Sequence, residues 1–149
     1  MTRGTRYPNA DTPFAAVRSC DRALVYGTLK PGERNHRLIA DAAHHGTAET
    51  APGFRLLHGD IPAVDRGGEA RIQGELVRVT GTQLARMDQL EGHPDWYRRE
   101  IVTLADGGRA WIYLHPIPAR VSRDRITERG IARWSGGRGG NRRPAPGRA

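Results

Sequence analysis

Glu91 is the residue whose type and surroundings best suit proton chemistry in this chain. Leu84, Met87 and Glu91 recur at intervals of three and four, with Leu90 beside them, so a helix through them turns the carboxyl towards its apolar face. Gly92 and Pro94 stop that helix directly afterwards, which puts the carboxyl at the negative end of the helix dipole. Burial and the dipole both disfavour the ionised form. Both raise the carboxyl's proton affinity towards the range in which one group can accept and return a proton near neutral pH. An internal ion pair with Arg98 or Arg99, or a frayed helix end in water, is the alternative use of the same residue. A second stretch suits an anion. Tyr26-Gly27-Thr28-Leu29 follows a short apolar run and precedes Pro31-Gly32. Gly27 permits a sharp turn or a close approach of backbone, and the amides of residues 26–29 can then form a nest for negative charge. The same stretch is compatible with a tight turn that binds nothing.

The elements that must position these groups follow from the pattern around them. Thr80-Gly81-Thr82-Gln83 has the spacing of a capping box and marks the start of the helix that ends at Glu91. A buried strand over residues 23–26 leads into the Gly27 loop. Leu38, Ile39 and Ala42 predict a short amphipathic helix over residues 35–43, with Asn35 as N-cap and Gly46 as its stop. His44 and His45 fall at its end, and two adjacent side chains that point apart do not make a metal site. Strands are predicted over residues 54–57, 61–64 and 71–79, the second weakened by Pro62. Glu75, inside the third, is the other acid to weigh, and a strand position lets it face solvent or brace the sheet. Residues 100–104 and 109–114 flank Ala105-Asp106-Gly107-Gly108 as a hairpin, and His115-Pro116-Ile117-Pro118 ends the sheet. Two or three helices against five or six strands predict an α+β domain.

A length of 149 residues suits one domain. Residues 1–20 mix Arg, Pro, Thr and Asn without period and read as a flexible leader; residues 21–118 hold the patterned domain. Residues 119–149 form an Arg/Gly-rich tail, with a loosely docked helix near 124–133 and disorder from Ser135 onward. The formal charge of +8 is unevenly placed: residues 117–149 carry +7, residues 1–20 carry +2, and residues 21–116 are left at −1. The basicity therefore belongs to the tails, and the core has no electrostatic footprint for nucleic acid. Cys20 is the single cysteine, so neither an internal disulfide nor a cysteine metal cluster can form. With no membrane-length apolar run and no signal-peptide core, a cytoplasmic location is expected.

Three segments carry a family resemblance. Tyr26-Gly27-Thr28-Leu29-Lys30-Pro31-Gly32 resembles the Y-G-T-L-x-x-G signature of the gamma-glutamylcyclotransferase family, which includes AIG2-like and gamma-glutamylamine cyclotransferase-like proteins. Gly74-Glu75-Leu76 resembles its G-E-L strand. Met87-Asp88-Gln89-Leu90-Glu91-Gly92-His93-Pro94, followed by Trp96-Tyr97-Arg98-Arg99, is similar to its L-D-x-x-E-G…Y-x-R pattern. The resemblance implies a small mixed β-barrel with flanking helices and an enzyme that cyclises a gamma-glutamyl amine or amino acid to 5-oxoproline. It implies Glu91 as general base and then general acid, substrate anchoring at Tyr26, Gly27, Thr28 and Leu29, and a role for Tyr113 in orienting Glu91 or the substrate amine. Because the attack is intramolecular, no metal, cofactor or nucleophilic residue is required. Family members commonly carry an aromatic before the Pro-Ala pair and another after G-E-L, where this chain has Ile61 and Val77. The leaving amine stays open: a free amino acid, the lysine of a protein cross-link or an antibiotic intermediate all share the anchored half. The alternative within the same fold is a module that binds gamma-glutamyl compounds without turning them over. Oligomeric state is not fixed by any apolar stripe.

Overall fold

The computed structural model describes residues 11–118 and 130–135. Its element order is α1 (Pro13–Ser19), β1 (Arg22–Val25), a 3-10 turn (His36–Ile39), β2 (Ala43–Glu49), β3 (Phe54–Leu57), β4 (Ala63–Arg66), β5 (Arg71–Arg78), α2 (Gly81–Glu91), β6 (Arg98–Thr103), β7 (Arg109–Leu114) and β8 (Ile131–Ala132). The α+β class is as expected. The main sheet runs β2-β5-β1-β7-β6, with β8 alongside β5, while β3 and β4 form a separate hairpin. Within it β1 is antiparallel to β5 and parallel to β7.

The central place of β1 explains its continuous apolar run. Leu24, followed by Tyr26, packs inside the curl of the sheet with Phe54, Ile72 and Ile112. Ala23 and Val25 face the helices, packing with Ile39, Val77, Leu84, Met87 and Trp111. A strand buried on both faces loses the alternation of polar and apolar residues. Gly74 lets β5 approach β1, since a Cβ there would lie 2.4 Å from the Val25 carbonyl oxygen. The barrel of the sequence expectation is not closed. The outer edges meet near one end, through the Thr50–Leu104 bridge and the Ala51 N–H to Thr103 carbonyl bond of 2.9 Å, without a continuous ladder.

Several elements differ from their sequence readings. The helix over residues 35–43 is only one 3-10 turn, and Asn35 makes no side-chain cap. Its Nδ2 donates instead to Thr28 Oγ1 at 2.9 Å, tying the turn to the Gly27 loop. Residues from Ala43 onward pair with β5, with an irregularity between His44 and Gly46, so both histidines lie on a strand rather than at a helix end. The second strand of the 54–66 hairpin starts at Ala63, beyond Pro62, because proline cannot donate to a ladder. The segment read as a leader contains α1, capped by Thr12 and begun by Pro13. The helix placed near 124–133 falls mostly outside the described residues, and its last described part, Ile131–Ala132, is strand β8. Disorder from Ser135 onward lies outside the described residues except for Ser135 itself.

Candidate functional site

The helix carrying Glu91 begins as its sequence dictates. Thr80 Oγ1 accepts from the Gln83 N–H at 3.2 Å, and Gln83 Oε1 accepts from the Thr80 N–H at 2.9 Å, completing the capping box. Gly92 closes the other end in the left-handed region, at φ 68°. Leu84 and Met87 are fully buried on the inward face. Glu91, one turn further along, is half-buried and opens onto a small cleft. That cleft is bordered by Leu24, Val25, Tyr26, Gly27, Thr28, Leu29, Ile61, Pro62, Glu91, Tyr97 and Tyr113. All six site residues singled out in the sequence therefore meet in one place.

The electrostatics of Glu91 have two causes. Burial pushes its carboxyl up to about 7, and the neighbouring Asp88 carboxylate pushes it in the same direction. Asp88 lies one helical turn back and is only 1% exposed. Its charge is held by Arg99, whose Nε donates to Asp88 Oδ1 and whose Nη2 donates to Oδ2, each at 2.9 Å. Arg99 thus pairs with Asp88, and among the described residues no ion pair engages Glu91. Tyr113 turns its hydroxyl to Asp88 Oδ1 at 2.5 Å, so its ring borders the cleft while its polar end belongs to the Asp88 cluster.

The Gly27 loop presents its backbone in one sense. The carbonyls of Gly27, Thr28 and Leu29 accept from Lys30 N–H, Asn35 N–H and His36 Nδ1, at 3.0, 2.9 and 3.0 Å. The His36 contact requires the proton on Nδ1, because a carbonyl only accepts. Among the described residues, the amides of Gly27, Thr28 and Leu29 have no protein acceptor. Free donors on the border of a cleft are what an anionic group or a developing oxyanion needs. Gly27 also fits the narrowness of the site, since a Cβ there would lie 2.8 Å from Pro62 Cγ.

Two tyrosines build the walls. Tyr26 donates to the Tyr113 carbonyl at 2.6 Å. Tyr97 donates to the Pro62 carbonyl at 2.7 Å, and burial together with the Glu91 charge pushes its hydroxyl up to about 12. Tyr97 and Asp88 join the site only in the folded structure, although both lie within the motif segment around Glu91, and Asp88 is three residues from it on the helix. Ile61 stands at the cleft with 58% of its surface exposed, while Val77 is fully buried on the helix-covered side and does not border the cleft. Glu75 is not on the cleft either. It lies opposite Val25 in the ladder, 4.0 Å from His44. Among the described residues, no group of three or more His, Cys, Asp or Glu side chains is placed to hold a metal ion.

Comparison with known proteins bears on this arrangement. The family model described as gamma-glutamyl cyclotransferase, AIG2-like, matches residues 23–134. A Drosophila melanogaster protein named "Putative gamma-glutamylcyclotransferase" is 37% identical over 112 residues, covering 66% of this chain and 71% of its own. The gamma-glutamylaminecyclotransferase of Bos taurus is 35% identical over 86 residues, covering 51% of each chain. Among solved structures, an AIG2-like protein from Mus musculus superimposes with a TM-score of 0.59 at 25% identity, over 70% of this chain and 81% of that one. An uncharacterized protein from Pyrococcus horikoshii shares the fold with a TM-score of 0.60 at 23% identity, over 74% and 87%.

Proposed function

This chain belongs to the gamma-glutamyl cyclotransferase, AIG2-like family, and from that membership we propose that it converts gamma-glutamyl amines or gamma-glutamyl amino acids to 5-oxoproline, with Glu91 as the proton carrier. The observation that carries this reading is the pairing, across one cleft, of a carboxyl raised to about 7 with the unengaged amides of residues 27–29. The substrate's alpha-amine, in its neutral form, attacks its own gamma-carbonyl carbon. As the new C–N bond forms, the amine's N–H proton passes to Glu91 and negative charge gathers on the carbonyl oxygen. As the old C–N bond breaks, Glu91 returns that proton to the departing nitrogen, and the carbonyl re-forms in the five-membered lactam. One proton leaves one nitrogen and arrives at the other, so the carboxylate ends as it began.

The amides of Gly27, Thr28 and Leu29 suit the substrate's alpha-carboxylate or the developing oxyanion. The walls of Tyr26 and Tyr97, with the Tyr113 ring beside them on the cleft, favour the folded substrate conformation that brings amine and carbonyl together. Well-oriented intramolecular reactions reach effective molarities of about 10⁵ M or more, so positioning can supply much of the rate. A cytoplasmic setting is the proposed location. The test is incubation with a panel of gamma-glutamyl amino acids and gamma-glutamyl-lysine, followed by mass-spectrometric detection of 5-oxoproline. Glu91→Gln should lower the rate by about 10²–10⁴-fold while the protein stays folded. Turnover at the unsubstituted rate in that variant would remove Glu91 from the reaction. Saturable binding in a calorimeter, with no product from the unsubstituted chain, would leave only the binding-module alternative.

A further inference from the structure

Asp11 and α1 precede the family match, which begins at residue 23, yet they reach the residues behind Glu91. Asp11 Oδ1 accepts from Arg99 Nη1 at 2.9 Å, and the Asp11 carbonyl accepts from Arg99 Nη2 at 2.7 Å. Asp11 Oδ2 lies 2.7 Å from His93 Nε2. His93 Nδ1 accepts from the Arg99 N–H at 3.1 Å, so Nε2 carries the ring proton and donates to Asp11. His93 follows the helix end directly, and its own N–H donates to the Asp88 carbonyl at 3.0 Å. Arg99 is 3% exposed, lies over the Trp111 ring at 4.7 Å, and divides its donors between two carboxylates. Beyond Asp11, Phe14 occupies the space that a Cβ on Gly81 would need, with Phe14 Cδ1 2.2 Å from that position. The segment is thus seated at both ends of α2.

We infer that Asp11 is a positioning residue for the chemistry at Glu91: from outside the family match it fixes the Arg99–Asp88 pair and the turn that follows Glu91. The inference rests on Glu91 being the proton carrier. Two consequences follow from the geometry. The Asp88 and Glu91 carboxyls are set one helical turn apart, and the Asp11 carboxylate adds a second negative charge to the Arg99–Asp88 pair behind Glu91. Among the described residues, the ionisable groups facing Glu91 are Asp88 on its own helix, Tyr26 after β1, Tyr97 before β6 and Tyr113 on β7. His115 lies against Tyr97, and Arg99 acts through Asp88. None of these groups is itself replaced in an Asp11 variant, but His93, two residues beyond Glu91, loses the carboxylate that its Nε2 faces, and Arg99 loses one of its two carboxylate partners. Loss of the Asp11 charge leaves Arg99 to Asp88 alone, makes the surroundings of Glu91 less negative, and so favours its ionised form.

Asp11→Asn should therefore move the acid limb of the kcat/KM profile to lower pH by about half a unit or more, whereas Asp11→Glu, which keeps the charge, should leave it in place. The Glu91 carboxyl is titrated in parallel by carbon-13 NMR, which needs no turnover. If the unsubstituted chain makes no 5-oxoproline, the cyclotransferase reading fails while this titration still decides the role of Asp11. A folded Asp11→Asn protein whose Glu91 titrates as in the unsubstituted chain would overturn the assignment. So would a variant that does not fold even in sucrose, because Asp11 would then be a structural residue only.

Discussion

At Glu91 the conflict is between burial and charge, and it has a sign that stability measurements can read. The folded state raises the carboxyl from 4.5 to about 7, so it favours the protonated form. That contribution is complete below about pH 4.5 and is lost as the pH rises through about 7. Glutamine imitates the protonated form without the later loss. Glu91→Gln should match the unsubstituted protein in urea unfolding near pH 4 and exceed it at pH 8, by at most about 1.4 kcal/mol for each pH unit of the difference. Equal stability of the two proteins at both pH values would contradict the burial ascribed to this carboxyl. The same residue should govern the rate: the acid limb of kcat/KM belongs near pH 7, where Glu91 must be ionised to accept the proton. Neither effect was fully legible in the motif. The apolar stripe implied burial, but the second cause is Asp88, whose place against Glu91 depends on how Arg99 and Tyr113 hold it.

At the scale of elements, the cleft depends on how closely β1 and β5 approach just before the Gly27 loop. A Cβ on Gly74 would meet the Val25 carbonyl oxygen at 2.4 Å and the Tyr26 Cα at 3.2 Å. These are backbone atoms, which cannot turn aside as a side chain can. Gly74→Ala should cost about 1–3 kcal/mol in thermal or urea unfolding and displace the loop enough to lower activity in the protein that remains folded. Full activity and unchanged stability would show that the strands have slack. The sequence predicted α2 and its cap correctly because Thr80 and Gln83 are three residues apart and their bonds are local. It failed over residues 35–43 for the opposite reason. Leu38, Ile39 and Ala42 fit a helical stripe, but Asn35 was taken by Thr28 and residues from Ala43 by the distant edge of β5. Short helices lack the internal stability to resist such partners.

At the scale of the whole molecule, the most consequential long-range element is the short strap around β8. Trp134 is 1% exposed within the core cluster that contains Leu24 and Tyr26, and its Nε1 donates to the Gly59 carbonyl at 2.6 Å. Its own carbonyl accepts from Lys30 Nζ at 2.5 Å, immediately after the site loop. Trp134→Ala should destabilise the protein by about 3–5 kcal/mol in denaturant unfolding, as for other buried tryptophans. A loss below about 1 kcal/mol would mean that the strap is only laid against the sheet. Ala132 and Trp134, beyond residue 118, are core residues, and the family match runs to 134. Charge and scattered apolar residues in that stretch gave no period from which its packing could be read.

What the sequence determined by itself was local: the capping box, the stop at Gly92, the turn chemistry at residues 105–108, the continuous apolar run of β1, and the motif order that marks the family. Each depends on residues within a few positions of one another, where periodicity and backbone preference set the outcome. Tertiary structure alone decided which charge faces Glu91, that Arg99 serves Asp88 and Asp11, that α1 is seated on α2, and that Trp134 enters the core. Those outcomes turn on which side chains, far apart along the chain, are desolvated together. No one-dimensional spacing records that choice, because a buried charge takes whichever partner the packed fold brings within hydrogen-bond distance.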